Sequence, residues 1–429
     1  MDDQIGKDVP EHDVKLSPDS ELRFEVENKN ETVFLELKSG IAEIFGTELV
    51  KGKTYTFTTG AKIAVFTWQG CELIIRTKKD TSYIAKETPM MFYLNCHCCL
   101  EQLRQKAEQD DSKGPITMIV GPTDVGKSTL SKILLNYAVR MGGLSRRPIF
   151  VDLDVGQGHI SIPGTVGAMI VERPASVYDG FPQMAPLVYH YGQTSINSNP
   201  VLYNTIISRM ADLVHQRMES NKKVKASGVI INTMGWIKGK GYQHLTHIAQ
   251  AFEVSIILVL DQERLYNELV RDMPSFVKVT LLPKSGGVVE RTPAVRSEAR
   301  NFRIREYFYG TPQCQLHPHS FDVKFTDVKI YRIGAPALPD SCMPLGMKSD
   351  DYLTKLVAVT PGPSILHHIL SVSHATSPDE DVIKSNIAGF VCITNVDTER
   401  QLLTVLSPQP KPLPDACLIL SDVSFMDNR

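Results

Sequence analysis

The chain has 429 residues, of which 42% are hydrophobic and 22% are charged, and its formal net charge is −2. This length predicts two to four domains with apolar cores. The near-neutral net charge by itself gives no reason to expect a nucleic-acid partner. The longest apolar run, Ile256–Leu260, is too short to cross a bilayer, so we expect no membrane partner. The acidic N-terminus has no apolar signal core and the eight cysteines form no framework, so we expect reduced thiols in a cytosolic or nuclear protein.

The first quarter of the chain is predicted to form a mobile tail, a small β domain and a linking helix. Residues 1–18 carry many charges and few apolar residues, which is typical of a mobile tail. From residue 19, apolar residues alternate in short runs that Asn and Gly separate at about ten-residue spacing, which predicts a β-sandwich. A helical pattern over 90–109 completes this unit, which we place at 19–110.

A tight cluster of Cys96, His97, Cys98 and Cys99 lies within that helical pattern. Zinc is one interpretation, because cysteine and histidine are its usual ligands. A structural zinc site usually draws on two separated ligand pairs, and the sequence has no evident second pair. We therefore favour ordinary core and surface positions of a helix.

Strands and helices alternate from 111 to 310, which predicts an α/β unit with the doubly wound parallel sheet of a P-loop domain. The predicted strands are at 116–120, 149–155, 229–233, 255–260 and 277–282. The predicted helices are at 127–140, about 201–219, 241–252 and 262–272. Ligands of such a sheet gather at the carboxyl ends of its strands.

The helical signal fades after residue 310, and short β-type runs follow. These runs lie at 321–333, 356–359, 369–372, 389–394 and 402–406. Short apolar runs between turn residues are typical of strands. We predict a separate β-rich domain at 311–429.

The strongest motif is Gly121-Pro122-Thr123-Asp124-Val125-Gly126-Lys127-Ser128, which has the G-x-x-x-x-G-K-S spacing of a phosphate-binding loop. Its glycines let backbone amides turn toward phosphate oxygens. Lys127 supplies positive charge to the β- and γ-phosphates, the Ser128 hydroxyl is placed to bind Mg²⁺, and the next helix adds its positive dipole end. An apolar strand before the motif and helical spacing after it favour this interpretation over a chance glycine turn.

A second motif follows at the end of the next predicted strand, where Asp152 and Asp154 stand two residues apart. Such residues share one face of a strand. In a kinase, the carboxylate nearer the tip, Asp154, positions or deprotonates the substrate hydroxyl. A turn-capping Asp is the alternative, and for Asp152 both interpretations stay open.

Two later loops carry candidate functional residues. Gly286 and Gly287 precede Arg291 and Arg296 at the edge of a predicted helix, and mobile arginines on a lid supply the charge that phosphoryl transfer needs. A loop with solvated charges is the alternative. Trp236 lies in a loop rich in Gly and Lys after a predicted strand, where it either stacks on a nucleobase or packs into the core.

Together these residues resemble a known family, the polynucleotide 5′-hydroxyl kinases related to the RNA kinase subunit of the pre-mRNA cleavage complex. The resemblance covers nearly the whole chain and is strongest to the metazoan nuclear branch. The motifs that carry it lie at 121–129, 152–158, 161–165, 233–239, 260–267 and 283–291, with shorter matches at 21–25, 60–62 and 425–427.

The resemblance implies a role for each matching residue. Lys127, Asp154, Arg291 and Arg296 would be catalytic. Those that would hold the nucleotide are Glu21, Lys62, Gly121, Asp124, Val125, Gly126, Lys127, Ser128 and Thr129. Ser128 would bind Mg²⁺, and Trp236 and Gln157 would contact RNA. The assignment of Glu21 and Lys62 comes from the resemblance alone.

The resemblance also implies three domains and the transfer of the ATP γ-phosphate to the 5′-hydroxyl of RNA, with Mg²⁺, in the nucleus. The implied partners are the tRNA-splicing endonuclease complex and the pre-mRNA cleavage complex. Because some family members bind ATP without phosphorylating RNA, an ATP-bound scaffold subunit is the alternative, and a P-loop NTPase that drives conformational work is another. The sequence leaves open RNA or DNA preference, strandedness and oligomeric state.

Overall fold

The computed structural model describes residues 10–28, 31–78, 81–141, 143, 145–311, 313–335 and 352–426. In chain order they form an N-terminal β-sandwich, a central sheet flanked by helices, and a C-terminal β-rich unit. This is the predicted fold class.

Nine short strands build the N-terminal unit. They are β1 (Glu11–Leu16), β2 (Ser20–Glu25), β3 (Thr32–Gly40), β4 (Glu43–Ile44), β5 (Thr47–Glu48), β6 (Thr54–Thr58), β7 (Lys62–Thr67), β8 (Cys71–Arg76) and β9 (Tyr83–Ala85). They pair into two sheets, β1-β8-β3-β6 and β5-β4-β7-β2-β9. Because side chains alternate along a strand, Leu35, Val65 and Leu73 point inward and are fully buried between the sheets.

The mobile tail predicted over 1–18 is wrong for part of that segment. β1 pairs with β8 along its whole length, from Glu11 opposite Arg76 to Leu16 opposite Cys71. Leu16 is buried and Val14 packs on the same core. Two inward apolar side chains are enough for a strand here, because β8 provides hydrogen-bond partners for its backbone groups. Residues 1–9 lie outside the described residues.

A twenty-residue helix, α1 (Met90–Gln109), follows the sandwich, as predicted over 90–109. Its buried side carries Glu101 and Arg104, and Arg146, which precedes the second central strand, joins them. Glu101 Oε1 lies 2.6 Å from Arg146 Nη2, and Arg104 Nε donates to the Ser227 carbonyl at 2.9 Å. A buried ion cluster thus fixes α1 to the central unit.

The cluster at 96–99 lies on α1, so the helix interpretation is confirmed. Cys98 and Cys99 are exposed, whereas His97 is buried, and burial lowers the pKa of His97 to about 4. Among the residues that the structure describes, no group of three His, Cys, Asp or Glu side chains is placed to hold a metal ion.

The central unit alternates strands and helices. Its strands are β10 (Ile116–Val120), β11 (Ile149–Asp152), β12 (Thr165–Ile170), β13 (Leu187–His190), β14 (Val229–Asn232), β15 (Ile256–Leu260) and β16 (Lys278–Leu282). Its helices are α2 (Lys127–Arg140), α3 (Pro200–Ser220), α4 (Lys222–Ser227), α5 (Lys240–Ala251), α6 (Glu263–Asp272) and α7 (Pro293–Tyr309). In the part of the chain described, no helix is both long and apolar enough to cross a membrane.

The central sheet is mixed, in the order β13-β12-β11-β14-β10-β15-β16. The strands from β11 to β16 in this order are parallel, as predicted. β12 and β13 extend one edge in antiparallel pairing and were not predicted. Gly167 interrupts the apolar pattern of β12, and β13 has only four residues, so neither gives a clear strand signal.

The C-terminal unit contains a seven-stranded sheet. The strands of this unit are β17 (Gly310–Thr311), β18 (Cys314–Gln315), β19 (His319–Lys324), β20 (Lys329–Ile333), β21 (Leu356–Ala358), β22 (His368–Ser373), β23 (Ile387–Asp397), β24 (Leu402–Ser407) and β25 (Cys417–Ser424). The sheet order is β19-β24-β23-β22-β25-β20-β21, and β17 pairs with β18. The second half of α7 enters this core, where Ile304 and Phe308 are fully buried with Phe390 and Phe425.

Candidate functional site

The predicted phosphate-binding loop joins β10 to α2 at the carboxyl edge of the central sheet. Every residue of β10 is buried, which fixes where the loop begins. Gly126, just before α2, has a φ of 92°, a left-handed conformation that glycine adopts without a Cβ clash. A Cβ on Gly235 would lie 2.3 Å from Thr123 Oγ1, so the chain after β14 packs directly on the loop. The backbone conformation therefore requires glycine at 126, and close packing requires it at 235.

The loop lines a cavity of about 730 Å³, within the range of about 300–1,000 Å³ that small-molecule sites occupy. We call residues 283–300 the lid. The lining includes Glu21, Lys62 and Phe66 of the sandwich, residues 123–129, Asp154, Gln157 and His159, and the lid residues Arg291, Arg296 and Arg300. Of the residues predicted to hold a nucleotide, only Gly121 lies outside this lining. The wall of the cavity is therefore formed jointly by the N-terminal sandwich and the central unit.

Lys127 is turned back onto its own loop. Its Nζ donates to the carbonyls of Gly121 at 3.0 Å and Pro122 at 2.6 Å, and the residue is 7% exposed. Burial lowers the pKa of Lys127 to about 8, against the opposing charges of Asp154 and Asp124. Among the residues that the structure describes, no carboxylate forms an ion pair with this ammonium group, although Lys127 lines the cavity.

The two carboxylates of the second motif have different surroundings. β11 ends at Asp152, so Asp154 lies in the following loop. The prediction that the two residues share one face of a strand is therefore wrong. Asp152 is buried, with Oδ1 accepting from Asn232 Nδ2 and Oδ2 from the His159 amide, both at 2.8 Å. Asp154 lines the cavity. Among the described residues, only the Gly156 amide donates to its carboxylate, to Oδ1 at 2.9 Å. Asp152 holds the loop, and Asp154 faces the site.

The surroundings of Asp154 change its acidity. Burial, and next the negative charge of Asp152, raise the pKa of Asp154 above its usual range. His159 and Lys127 oppose this shift without cancelling it. A carboxylate with a raised pKa in a cavity is a candidate proton acceptor.

Both predicted lid arginines bind Asp124 of the phosphate loop. Arg291 donates to Asp124 Oδ1 from its Nε at 2.9 Å and to Oδ2 from its backbone amide at 2.9 Å. Arg296 Nη2 lies 2.8 Å from Asp124 Oδ2, and Arg291 Nη1 reaches Gln157 Oε1 at 3.2 Å. Burial tends to raise the pKa of Asp124, but these hydrogen bonds outweigh it and hold that pKa below its usual range. The lid is closed over the loop by an ion-pair cluster.

The sandwich contributes a charged wall to the cavity. Glu21 is 4% exposed and accepts from Arg23 Nε at 2.7 Å, while Arg23 Nη2 reaches Ser285 Oγ of the lid at 3.4 Å. Lys62 Nζ lies 3.1 Å from Glu25 Oε2. Burial raises the pKa of Glu21 despite its arginine partner. The sandwich and the base of the lid thus meet at Arg23.

Trp236 does not line the cavity. It is half-buried against the central core, and its ring centroid lies 6.1 Å from that of His244. A Cβ on Gly241 would lie 2.6 Å from Trp236 Cγ, so the start of α5 packs on the indole. Trp236 directly follows Gly235, which lines the cavity, and RNA stacking stays a prediction.

Sequence reasoning missed several side chains that organise the site. His159 Nε2 lies 2.8 Å from Ser128 Oγ, and Arg303 of α7 donates to the Gly158 and His159 carbonyls at 3.0 and 2.8 Å. Arg303 stands seven residues after Arg296, two turns along the same helix, so helical periodicity could have found it. Arg23 carries no motif, and nothing in the sequence separates it from other strand residues.

Three family models match the chain. They are described as the N-terminal beta-sandwich domain of polyadenylation factor, at residues 15–107, mRNA cleavage and polyadenylation factor CLP1 P-loop, at 121–310, and Pre-mRNA cleavage complex II protein Clp1, at 316–427. Together they cover the sandwich, the central unit and the C-terminal unit.

Curated relatives and solved structures are similar over the full length. The chain is 62% identical to the Protein CLP1 homolog of Anopheles gambiae over 98% of this chain and 99% of that one, and 59% identical to that of Aedes aegypti over 100% and 99%. A structure of a wild-type Clp1p–Pcf11p complex aligns with a TM-score of 0.84 at 26% identity, over 98% of this chain and 99% of that one. A second structure, on the Pcf11p–Clp1p interface and ATP loss in a point mutant, aligns with a TM-score of 0.83 at 27% identity, over 97% and 99%.

Proposed function

This chain belongs to the Clp1 family of the pre-mRNA cleavage complex, and from that premise we propose that it is an ATP-dependent kinase that phosphorylates the 5′-hydroxyl of RNA. The observation that carries the proposal is the cavity in which the phosphate loop, Asp154 and the lid arginines meet. A protein that only retains ATP has no need for a carboxylate and two arginines around the terminal phosphate.

In the proposed reaction, the terminal ribose oxygen attacks the γ-phosphorus, a new O–P bond forms, and the bond from that phosphorus to ADP breaks. Asp154 accepts the proton of the hydroxyl. Its raised pKa brings its proton affinity closer to that of an efficient general base near neutral pH. Lys127, Arg291 and Arg296 exchange their present partners for phosphate oxygens and stabilise the charge that develops there.

The Ser128 hydroxyl suits Mg²⁺. It lines the cavity, and beside phosphates Mg²⁺ takes hard oxygen ligands, few of them from protein. When bound, the ion would neutralise charge on the β- and γ-phosphates. Ser128 is the phosphate-loop residue that would hold it.

We also propose that the protein is located in the nucleus and that it acts in pre-mRNA 3′-end processing and in tRNA splicing. The family description and two similar structures that contain Pcf11p support partners in the cleavage complex. The tRNA-splicing endonuclease as partner rests on the sequence resemblance.

The first test is label transfer from γ-labelled ATP, with Mg²⁺, to an oligoribonucleotide with a 5′-hydroxyl. We expect label on the hydroxyl RNA and none on the same oligomer with a 5′-phosphate. Asp154→Asn is expected to lower the rate about 100-fold, because an amide cannot accept the proton. ATP that is bound but never transferred by the unmodified protein would contradict the proposal.

A catalytically silent, ATP-bound scaffold is the second candidate function, and one observation favours it. Lys127 is bound by loop carbonyls, and Arg291 and Arg296 by Asp124, so these three cations already have protein partners. Such a closed site would stabilise the fold through bound nucleotide without turnover. The label assay separates the two functions, since a scaffold retains ATP and leaves RNA unlabelled.

ATP binding is expected to take up about half a proton at Lys127 at pH 8. Burial lowers the pKa of Lys127 in the free protein to about 8, below its usual value of 10.5. Adjacent phosphates raise this pKa, so a neutral amine gains its proton on binding. Below about pH 7 the amine is already protonated and the uptake vanishes. Titration calorimetry in two buffers of different ionisation enthalpy measures the protons directly.

The matched control for this titration is Lys127→Met, which should lose the uptake at pH 8. Burial also lowers the pKa of Lys132 to about 8, but Lys132 lies outside the cavity lining, so its contribution is common to both proteins. Equal proton uptake by the unmodified protein and Lys127→Met would contradict the assignment. The same shift means that, between about pH 8 and 10.5, the unfolded chain binds more protons at Lys127, so its contribution to folding stability improves as pH rises.

A further inference from the structure

The hydroxyl that the phosphate loop offers to a divalent cation has a protein partner that no motif marks. We propose that His159 is a positioning residue for Ser128, and that its imidazole sets how strongly Mg²⁺ tightens nucleotide binding. The inference rests on the nucleotide site of the proposed function and goes beyond it, because none of the matching motifs includes His159.

The first support is the geometry of the pair. Ser128 Oγ and His159 Nε2 are 2.8 Å apart, and both residues line the cavity. A serine hydroxyl has one hydrogen to donate and two lone pairs. When the hydrogen goes to an imidazole nitrogen that carries none, both lone pairs of Oγ turn away from the ring and stay free for a cation. An outer partner of this kind orients a metal ligand and raises its basicity.

The second support is that the backbone of His159 is fixed from two sides. Its amide donates to Asp152 Oδ2 at 2.8 Å, and the other Asp152 oxygen accepts from Asn232 of β14 at the same distance. Its carbonyl accepts from Arg303 Nη2 at 2.8 Å, so α7 holds the opposite side. The direction of the imidazole toward Ser128 is therefore built by the central sheet and by α7 together.

The third support is that His159 has little to do in packing. The residue is exposed, whereas its neighbours Gly158 and Ile160 are buried. Because the ring is exposed, its removal leaves no cavity in a core. Both backbone hydrogen bonds of the residue also stay. A loss of function on truncation would thus report on the Ser128 contact and not on folding. Asp152 supports the contact between His159 and Ser128, because it accepts a hydrogen bond from the His159 amide.

The test compares ATP affinity by titration calorimetry, without RNA, in excess Mg²⁺ and in EDTA. The variants are His159→Ala, His159→Gln and, as a matched control, His317→Ala, an exposed histidine of the C-terminal unit. We expect His159→Ala to reduce the Mg²⁺-dependent tightening about 10-fold and to leave the affinity in EDTA unchanged. Gln places an acceptor near the position of Nε2 and should restore the tightening to within about threefold of the unmodified protein.

Three outcomes would overturn the inference. They are an unchanged Mg²⁺ effect in His159→Ala, an equal loss of affinity in Mg²⁺ and in EDTA, and a failure of Gln to restore what Ala removes. Since no RNA is present, the result does not depend on phosphoryl transfer. A protein with a His159-dependent Mg²⁺ effect that never labels RNA would remove the kinase proposal and leave this one standing.

Discussion

Replacing Lys127 by alanine is expected to lower phosphoryl transfer about 1,000-fold while the fold persists. One preorganised charge or hydrogen-bond donor at the transferring group is worth about 100- to 1,000-fold in rate, and Lys127 stands at the start of α2, where the phosphates are expected. The fold should persist because the ammonium makes only two bonds, both to carbonyls of its own loop, and its burial is unfavourable. Single-turnover label transfer gives the rate, and circular dichroism gives the fold.

The matched control for this experiment is Lys132→Met. Lys132 lies five residues further along α2, is half-buried with its ammonium group over the Phe45 ring, and does not line the cavity. Methionine keeps the length of its aliphatic chain, so transfer should stay within about twofold of the unmodified protein. If Lys127→Ala kept the unmodified rate, the assignment of the phosphate loop would be wrong.

Replacing Glu101 by alanine is expected to lower the free energy of unfolding by about 3–5 kcal/mol. The change leaves two guanidinium groups, on Arg104 and Arg146, with side chains 1% and 2% exposed and without their shared carboxylate. Burial already lowers the pKa of Arg104 to about 10, and Glu101 is the main group that opposes this shift. Urea unfolding followed by circular dichroism measures the loss.

The matched control uses the other carboxylate of the same cluster. Glu108 lies 3.0 Å from Arg146 Nη1, but its side chain is 54% exposed, so Glu108→Ala should change the free energy of unfolding by less than about 1 kcal/mol. Equal effects of the two substitutions would mean that burial of the cluster does not matter. A Glu101→Ala protein as stable as the unmodified one would mean that the shared carboxylate contributes nothing to the stability of the fold.

Much of the central unit could be predicted because its signals are local. The parallel strands are apolar runs, and the predicted helix at 127–140 has the bounds of α2. β1 and β25 escaped prediction, because β1 has two inward apolar residues and β25 includes Ser421 and Asp422. Their strand conformation depends on the neighbours that pair with them, which periodicity does not record.

The chemistry of the candidate site could be predicted in type but not in arrangement. Spacing identifies the phosphate loop, and the residue types mark Asp154, Arg291 and Arg296 as candidates. That Asp124 binds both arginines depends on bringing together residues 167 and 172 positions apart. His159 owes its place to Asp152 and to a helix that begins more than a hundred residues later, so no local pattern could assign it.

Helix α7 belongs to two units at once. Its first turns carry Arg296 into the nucleotide cavity, and its last turns bury Ile304 and Phe308 in the C-terminal core. Seventeen residues of helix make a rigid rod about 25 Å long. Arg296 therefore lies near one end of a helix whose other end is packed in the C-terminal core. The position of this cavity residue depends on how the C-terminal unit holds the helix, although that core does not line the cavity.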